Sequence, residues 1–332
     1  MMNKSKIDWC DFSWNPVTGC HNTCEYCYAR KQAQRFSGDI RLNKSSGQIK
    51  QHIDDDMTDK ICYTLPQPFK NESGAIVPFP AGFEPTLHEY RLQMPAQKKK
   101  PANIFVGSMT DLFGDWVPDE WIEKVFSACE AAPWHNYLFL TKNVERYCQY
   151  GVPIEQKNMW YGTSITREQD MRRFDYLPAF CQTFVSMEPI LEDLKPEENR
   201  KIFEQISWFI LGAETGNRKG KVKPERKWIE DIVDRCRAEG KPVFMKNSLQ
   251  EIWGEELIQE FPPELKHEET HIPHCKECEY CTRKLQGDRG ERCTCEIGWD
   301  AEGYDDRGGR HILGRYTRTS PSWCPKRRKE KR

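Results

Sequence analysis

No stretch of the 332-residue chain approaches the roughly 20 consecutive apolar residues that span a bilayer. The amino terminus, with Lys4, Lys6 and Asp8, also lacks the apolar core of an export signal. We therefore expect a cytoplasmic protein. Neither sign of charge is in excess: 50 Lys and Arg face 51 Asp and Glu, so net charge points to no partner class. The one marked asymmetry read here is the tail, with Lys326, Arg327, Arg328, Lys329, Lys331 and Arg332, which is expected to be a solvated end. Neither a P-loop nor a Gly-x-Gly-x-x-Gly fingerprint occurs, which leaves ATP and NAD readings without support.

Cysteine is the residue in surplus, with 15. In a long chain without an export signal, clustered cysteines point to metal rather than to disulfides. Three stand close together (Cys20, Cys24, Cys27). Five crowd between Cys275 and Cys295, with Cys324 beyond them. Cys10, Cys62, Cys129, Cys148, Cys181 and Cys236 are scattered, and most of them are expected to be buried thiols.

From Pro101 to about Lys246 a short apolar run, a polar turn and a helical stretch recur. The runs Ile104–Val106, Tyr137–Leu140, Met159–Tyr161, Thr183–Val185, Trp208–Leu211 and Val243–Met245 do not alternate, as expected of parallel strands buried on both faces. Helices are expected after Pro118, with Trp121, Ile122, Val125 and Phe126 on one face, and around Trp228, Ile229, Ile232 and Val233. The pattern predicts an α/β fold whose parallel sheet is either open or curled into a partial or full (β/α) barrel over residues 1–262. Residues from about 37 to 100 break the rhythm and read as an insertion. Residues 263–332, poor in aliphatics, read as a small Cys-rich domain stapled by metal.

Residues 20–27 read Cys-His-Asn-Thr-Cys-Glu-Tyr-Cys. Three thiolates on one short loop suit a cubane iron–sulfur cluster with one iron left open for a ligand. A structural zinc knuckle, completed by His21 or Cys10, is the alternative from the residues themselves. The spacing C-x3-C-x2-C, with Tyr26 before the last cysteine, resembles the signature of the radical S-adenosylmethionine superfamily. The resemblance implies a (β/α) barrel and a [4Fe–4S] cluster on Cys20, Cys24 and Cys27. It also implies S-adenosyl-L-methionine bound at the open iron, and an electron donor such as a flavodoxin or ferredoxin. Further stretches (FVGSMTDLF at Phe105–Phe113, SMEP at Ser186–Pro189, GAETG at Gly212–Gly216 and FMKN at Phe244–Asn247) resemble a phage-type three-cysteine branch of that superfamily. Its usual Gly-Gly-Glu after the second strand is absent. Gly107, Ser108, Met109 and Asp111 occupy the place, so Ser108 and Asp111 are expected to supply acceptors for the cofactor.

In a parallel barrel the carboxyl ends of the strands face the active site. Those ends carry Ser108 and Asp111, Thr141 and Lys142, Thr163 and Ser164, Glu188, Glu214 and Lys246. We expect Tyr26, Gly107, Ser108, Met109, Asp111, Ser164 and Glu188 at the cofactor, and Lys142, Glu188, Glu214 and Lys246 at a polar substrate. Near the carboxyl end, Cys275, Cys278, Cys293 and Cys324 are expected to hold zinc or a second cluster. The basic tail beside them hints at a nucleotide or nucleic-acid substrate. A reading from another class remains open, that of a non-catalytic, zinc-dependent nucleic-acid-binding protein.

Overall fold

A computed structural model describes residues 2–52, 61–178 and 181–266, together with the strands at 281–285, 291–295 and 310–312. Two compact units result, Met1–Lys266 and His267–Arg332. The first begins with β1 (Met2–Lys4), β2 (Phe12–Trp14) and β3 (Val17–Thr18), and reaches α1 (Tyr28–Arg35) through the cysteine loop. The expected insertion follows: α2 (Ile40–Ser45), β4 (Lys50–His52), β5 (Cys62–Leu65), β6 (Thr86–His88) and α3 (Met94–Gln97). Its strands join β3 in a four-stranded sheet of order β3-β6-β5-β4. The insertion therefore carries a sheet of its own, which the polar composition did not disclose.

Strand–helix alternation occupies the remainder: β7 (Asn103–Val106), α4 (Asp119–Glu130), β8 (Asn136–Thr141), α5 (Glu145–Tyr150), β9 (Met159–Ser164), β10 (Gln182–Met187), α6 (Arg200–Gln205), β11 (Trp208–Leu211), α7 (Arg226–Ala238) and β12 (Val243–Met245). The crossover between β9 and β10 is a 3-10 segment, Glu168–Tyr176, rather than an α-helix. The main sheet runs β1-β2-β7-β8-β9-β10-β11-β12, parallel throughout except for β1, so its order is linear with β1 and β12 at the edges. Beyond β12 the chain doubles back: Met245 N–H donates to Ile258 O at 2.7 Å and Glu260 N–H to Val243 O at 2.9 Å, which blunts that edge.

The two-residue period of a strand sorts its side chains. On one face, Ile104, Val106, Tyr137 and Phe139 pack against Trp121, Ile122 and Val125 of α4. Farther along, Phe209, Leu211, Val243 and Met245 pack against Ile229, Ile232 and Val233 of α7. The other face holds Phe105, Leu138, Trp160, Phe184, Trp208 and Phe244, with Trp9 tilted against Phe105 at 4.7 Å between ring centroids. That aromatic layer is a floor. Continuing each strand by two or four residues on the same face passes from Phe184 to Ser186 and Glu188, from Trp160 to Ser164, from Leu138 to Lys142 and from Phe244 to Lys246. The sheet thus changes from apolar to polar at its carboxyl end.

In the second unit, β13 (Cys281–Leu285), β14 (Glu291–Cys295) and β15 (Arg310–Ile312) form an antiparallel sheet that pairs Cys281 with Cys295. Cys275, Cys278, Cys324 and the basic tail lie outside the described residues. Cys293 is placed by its backbone in β14.

Candidate active site

A cavity of about 260 Å³ opens at the carboxyl end of the parallel strands. One wall is the cysteine loop, contributing Cys20, Cys24, Tyr26 and Cys27. The facing wall carries Ser164, Ser186, Glu188 and Lys246, with Trp9 and Phe105 beneath. Of the residues expected at cofactor or substrate, all line this cavity except Met109, which is buried against Cys20, Ala29 and Phe83 and packs under the loop.

The loop is held by backbone geometry. Gly19 sits at φ +89°, donates to Met109 O at 2.9 Å and accepts from the Thr110 hydroxyl at 2.6 Å. A Cβ there would lie 2.2 Å from Glu84 O, so only glycine fits. Cys20 N–H donates to Phe83 O at 3.1 Å, which ties the loop to the insertion. Arg30 Nη2 donates to Cys20 O at 3.0 Å and Asn22 O at 2.8 Å, pinning the loop to α1 from within. Cys27 caps α1, its Sγ accepting from Arg30 N–H at 3.3 Å.

Asp111 is the hub beneath. Only 5 % exposed, it accepts from Thr141 Oγ1 at 2.6 Å, Asn22 Nδ2 at 3.1 Å, Lys142 N at 3.0 Å and Phe113 N at 3.3 Å. These four donors occupy the carboxylate and join the cysteine loop to the ends of β7 and β8. Ser108 Oγ exchanges hydrogen bonds with the Asn15 side chain at 3.1 and 3.2 Å, and Ser108 O accepts from Tyr28 Oη at 2.7 Å. Burial, reinforced by the charge of Asp111, pushes the Cys20 thiol up to about 12. Any metal bound there must displace a firmly held proton.

Among the described residues no three His, Cys, Asp or Glu side chains converge on one ion. Cys20, Cys24 and Cys27 all line the cavity from one loop. The fourth ligands of the zinc alternative do not join them. His21 pairs with Glu84 at 3.2 Å and packs on Trp116, while Cys10 Sγ donates to Ile7 O, and neither lines the cavity. Three soft donors face a polar cavity, with no fourth cysteine on its walls among the described residues, and this donor set fits an open-cornered [4Fe–4S] cluster.

One ion pair and one hydrogen bond order the polar wall. Lys246 Nζ meets Glu188 Oε1 at 2.5 Å, and Gly212 leaves room for that carboxylate, since a Cβ there would lie 3.0 Å from Glu188 Cγ. Lys142 Nζ donates to Tyr26 Oη at 3.0 Å, linking the end of β8 to the cysteine motif.

Glu214 belongs to a clasp. Its side chain is 2 % exposed and takes Arg218 Nε at 2.7 Å and Nη2 at 2.8 Å, while Arg218 Nη1 reaches Glu25 of the cysteine loop at 3.2 Å. Arg218, together with Gly19, Asn15 and Asn22, was not among the expected residues. Only the three-dimensional closeness of residues 25 and 218 reveals this contact. Hydrogen bonding from Arg218 lowers the Glu214 carboxyl below its ordinary range. Folding therefore draws stability from this group above the ordinary glutamate value near 4.3, and loses it as pH falls through the depressed one. Arg218→Met is expected to lower the thermal midpoint by a few degrees at pH 7. The gap should close below about pH 4, as read by melting curves across pH; a constant gap would discount the charge.

A family model described as "Protein of unknown function (DUF5131)" matches residues 4–289. No curated protein matches the chain. Among solved structures, a doubly substituted spore photoproduct lyase with bound AdoMet and dinucleoside spore photoproduct is similar at 9 % identity and a TM-score of 0.40, over 90 % of this chain and 72 % of that one. A singly substituted spore photoproduct lyase is similar at 10 % identity and a TM-score of 0.41, over 76 % of this chain and 77 % of that one.

Proposed function

The chain belongs to the DUF5131 family of proteins of unknown function, and from that premise we propose that it is a radical S-adenosylmethionine enzyme of the phage-type three-cysteine branch its motifs resemble. The observation that carries this reading is the placement of Cys20, Cys24 and Cys27 on one wall of a cavity whose other wall is the polar carboxyl end of a parallel sheet. Cys20, Cys24 and Cys27 would hold a [4Fe–4S] cluster, which would supply the single electron for reductive cleavage of S-adenosylmethionine and so for hydrogen abstraction from a polar substrate.

The chain's own residues prepare that chemistry. Asp111 and Arg30 hold the cysteine loop, so that its thiols need little reorganisation on loading. Ser108, anchored by Asn15, offers a hydroxyl near the loop for the polar groups of the cofactor. Ser164 and Ser186 offer hydroxyls on the opposite wall. The Glu188–Lys246 pair presents adjacent acceptor and donor to a substrate, and Lys142 a further donor kept in place by Tyr26. The floor of Trp9 and Phe105 keeps water from below, which protects a radical from quenching. A membrane substrate is not implied: no helix among the described residues is long and apolar enough to cross a bilayer.

The test is anaerobic reconstitution with iron and sulfide, followed by dithionite and S-adenosylmethionine. We expect a brown protein with broad visible absorbance and 5′-deoxyadenosine in the product mixture. Absence of bound iron, or a loaded cluster that yields no 5′-deoxyadenosine, would overturn the reading.

A further inference from the structure

The segment that leaves β11 reads Glu-Thr-Gly-Asn-Arg-Lys-Gly-Lys-Val-Lys from Glu214 to Lys223. Ala213, Glu214 and Thr215 line the cavity, so the segment starts at its wall. It is not a loose loop. Arg218 returns to the buried Glu214 and on to Glu25 of the cysteine loop, which fastens the segment beside the cavity. Lys219, Lys221 and Lys223 are exposed, and among the described residues no carboxylate pairs with them. The neighbouring Arg226 and Lys227 are by contrast neutralised, the first by Glu230 and Glu255 and the second by Asp231. Three ammonium groups at every second residue thus stand on a segment that begins at the cavity wall, with Lys221 close enough to act on the charge of Glu214.

Tyr28 provides a second, independent observation. It lines the same cavity, yet 53 % of it is exposed, and its hydroxyl is fixed on Ser108 O. A large ring left uncovered on the cavity wall, its tip fixed by a hydrogen bond, is a surface on which a planar group can stack. Alternating cations with an exposed aromatic is the combination that binds single-stranded nucleic acid: the ammoniums follow the phosphates and the ring takes a base.

We propose that residues 219–223 and Tyr28 form a docking rim for a single strand of nucleic acid, whose phosphodiester backbone runs along the lysines and delivers a nucleotide to the cavity. The substrate class is thus a nucleic-acid strand rather than a free nucleotide. Lys219 and Lys223 stand four residues apart, a reach of up to about 14 Å of chain, which is about two phosphate spacings of an extended strand and more than one phosphate needs. As a statement about substrate the proposal rests on the catalytic reading above; its test needs no turnover, so the two can fail separately.

The test measures anisotropy of a fluorescein-labelled single-stranded oligonucleotide of about 15 residues against the full chain, over a series of salt concentrations. Replacing Lys219, Lys221 and Lys223 together by Ala is expected to weaken binding roughly 10- to 100-fold near 0.1 M salt and to reduce the salt slope by about 2. The exposed set Lys70, Lys157 and Lys201, changed in the same way, should leave both values in place. Tyr28→Ala should cost about tenfold while Tyr28→Phe costs little, because stacking needs the ring alone. Three outcomes overturn the proposal: unchanged binding in the rim variant, an equal loss in the control variant, or displacement of the strand by a mononucleotide at equimolar phosphate. A chain that binds the strand but forms no 5′-deoxyadenosine would keep the rim and sink the enzyme.

Discussion

Cys24→Ala is expected to abolish both the iron-dependent visible absorbance and the release of 5′-deoxyadenosine, whereas Cys148→Ala leaves both as they are. Cys24 lies on the cavity wall between Cys20 and Cys27; Cys148 is exposed in α5, with Sγ donating to Tyr176 O at 3.5 Å. The magnitude follows from ligand number. A cluster held by three protein thiolates and losing one keeps two, too few to retain it against chelation. The effect on the fold should be small, because Cys24 is only half-buried and its side chain carries no hydrogen bond among those that pin the loop, which use Gly19, Asn22 and Arg30. The check is iron content, absorbance and product yield on one preparation, with circular dichroism for the fold. If Cys24→Ala retains iron and product, the cluster does not sit on this loop.

Gly19→Ala should be nearly as damaging without touching a ligand. The new Cβ would meet Glu84 O at 2.2 Å and the Glu84 carbonyl carbon at 2.4 Å, both backbone atoms that cannot swing aside. The residue would also be forced to a positive φ, which costs a side chain on the order of 1–3 kcal/mol. Together with the steric displacement we expect a loss of about 2–4 kcal/mol, or a fall of roughly 5–15 °C in thermal midpoint for a domain of this size. Iron loading should fall with it, because Gly19 also carries the bonds to Met109 and Thr110 that place Cys20. Gly216→Ala is the matched comparison: φ is +86°, but nothing lies within 4 Å of the added Cβ, so only the conformational cost of about 1–3 kcal/mol applies, without the steric displacement. Equal losses in the two variants would show that the contact with Glu84 is unimportant.

Much of the cavity was legible from strand ends alone. Ser164, Glu188 and Lys246 follow buried runs directly, and once a run is recognised as a parallel strand its next residues on the inner face must rise toward the carboxyl end. The roles inside the cavity were less legible. Asp111 reads in sequence as an acceptor for a ligand, yet the chain spends its oxygens on Thr141, Asn22 and two backbone N–H groups. Glu214 reads in the same way and is engaged by Arg218. Met109 stands inside the motif but turns into the packing beneath the loop. The four-stranded sheet of the insertion escaped because its strands are two to four residues long and pair across gaps that periodicity does not span.

The amino-acid sequence by itself determined the alternation of strand and helix, the polar residues that follow the buried runs, and the presence of three thiols on one turn. Each of these depends on residues only a few positions apart, where chemical type and spacing are sufficient. Tertiary structure alone decided which polar groups stay available to a ligand and which are spent internally. That depends on partners such as Glu84 for Gly19, Asp111 for Asn22 and Arg218 for Glu25, which lie from 65 to 193 residues away along the chain and meet only when the sheet is assembled.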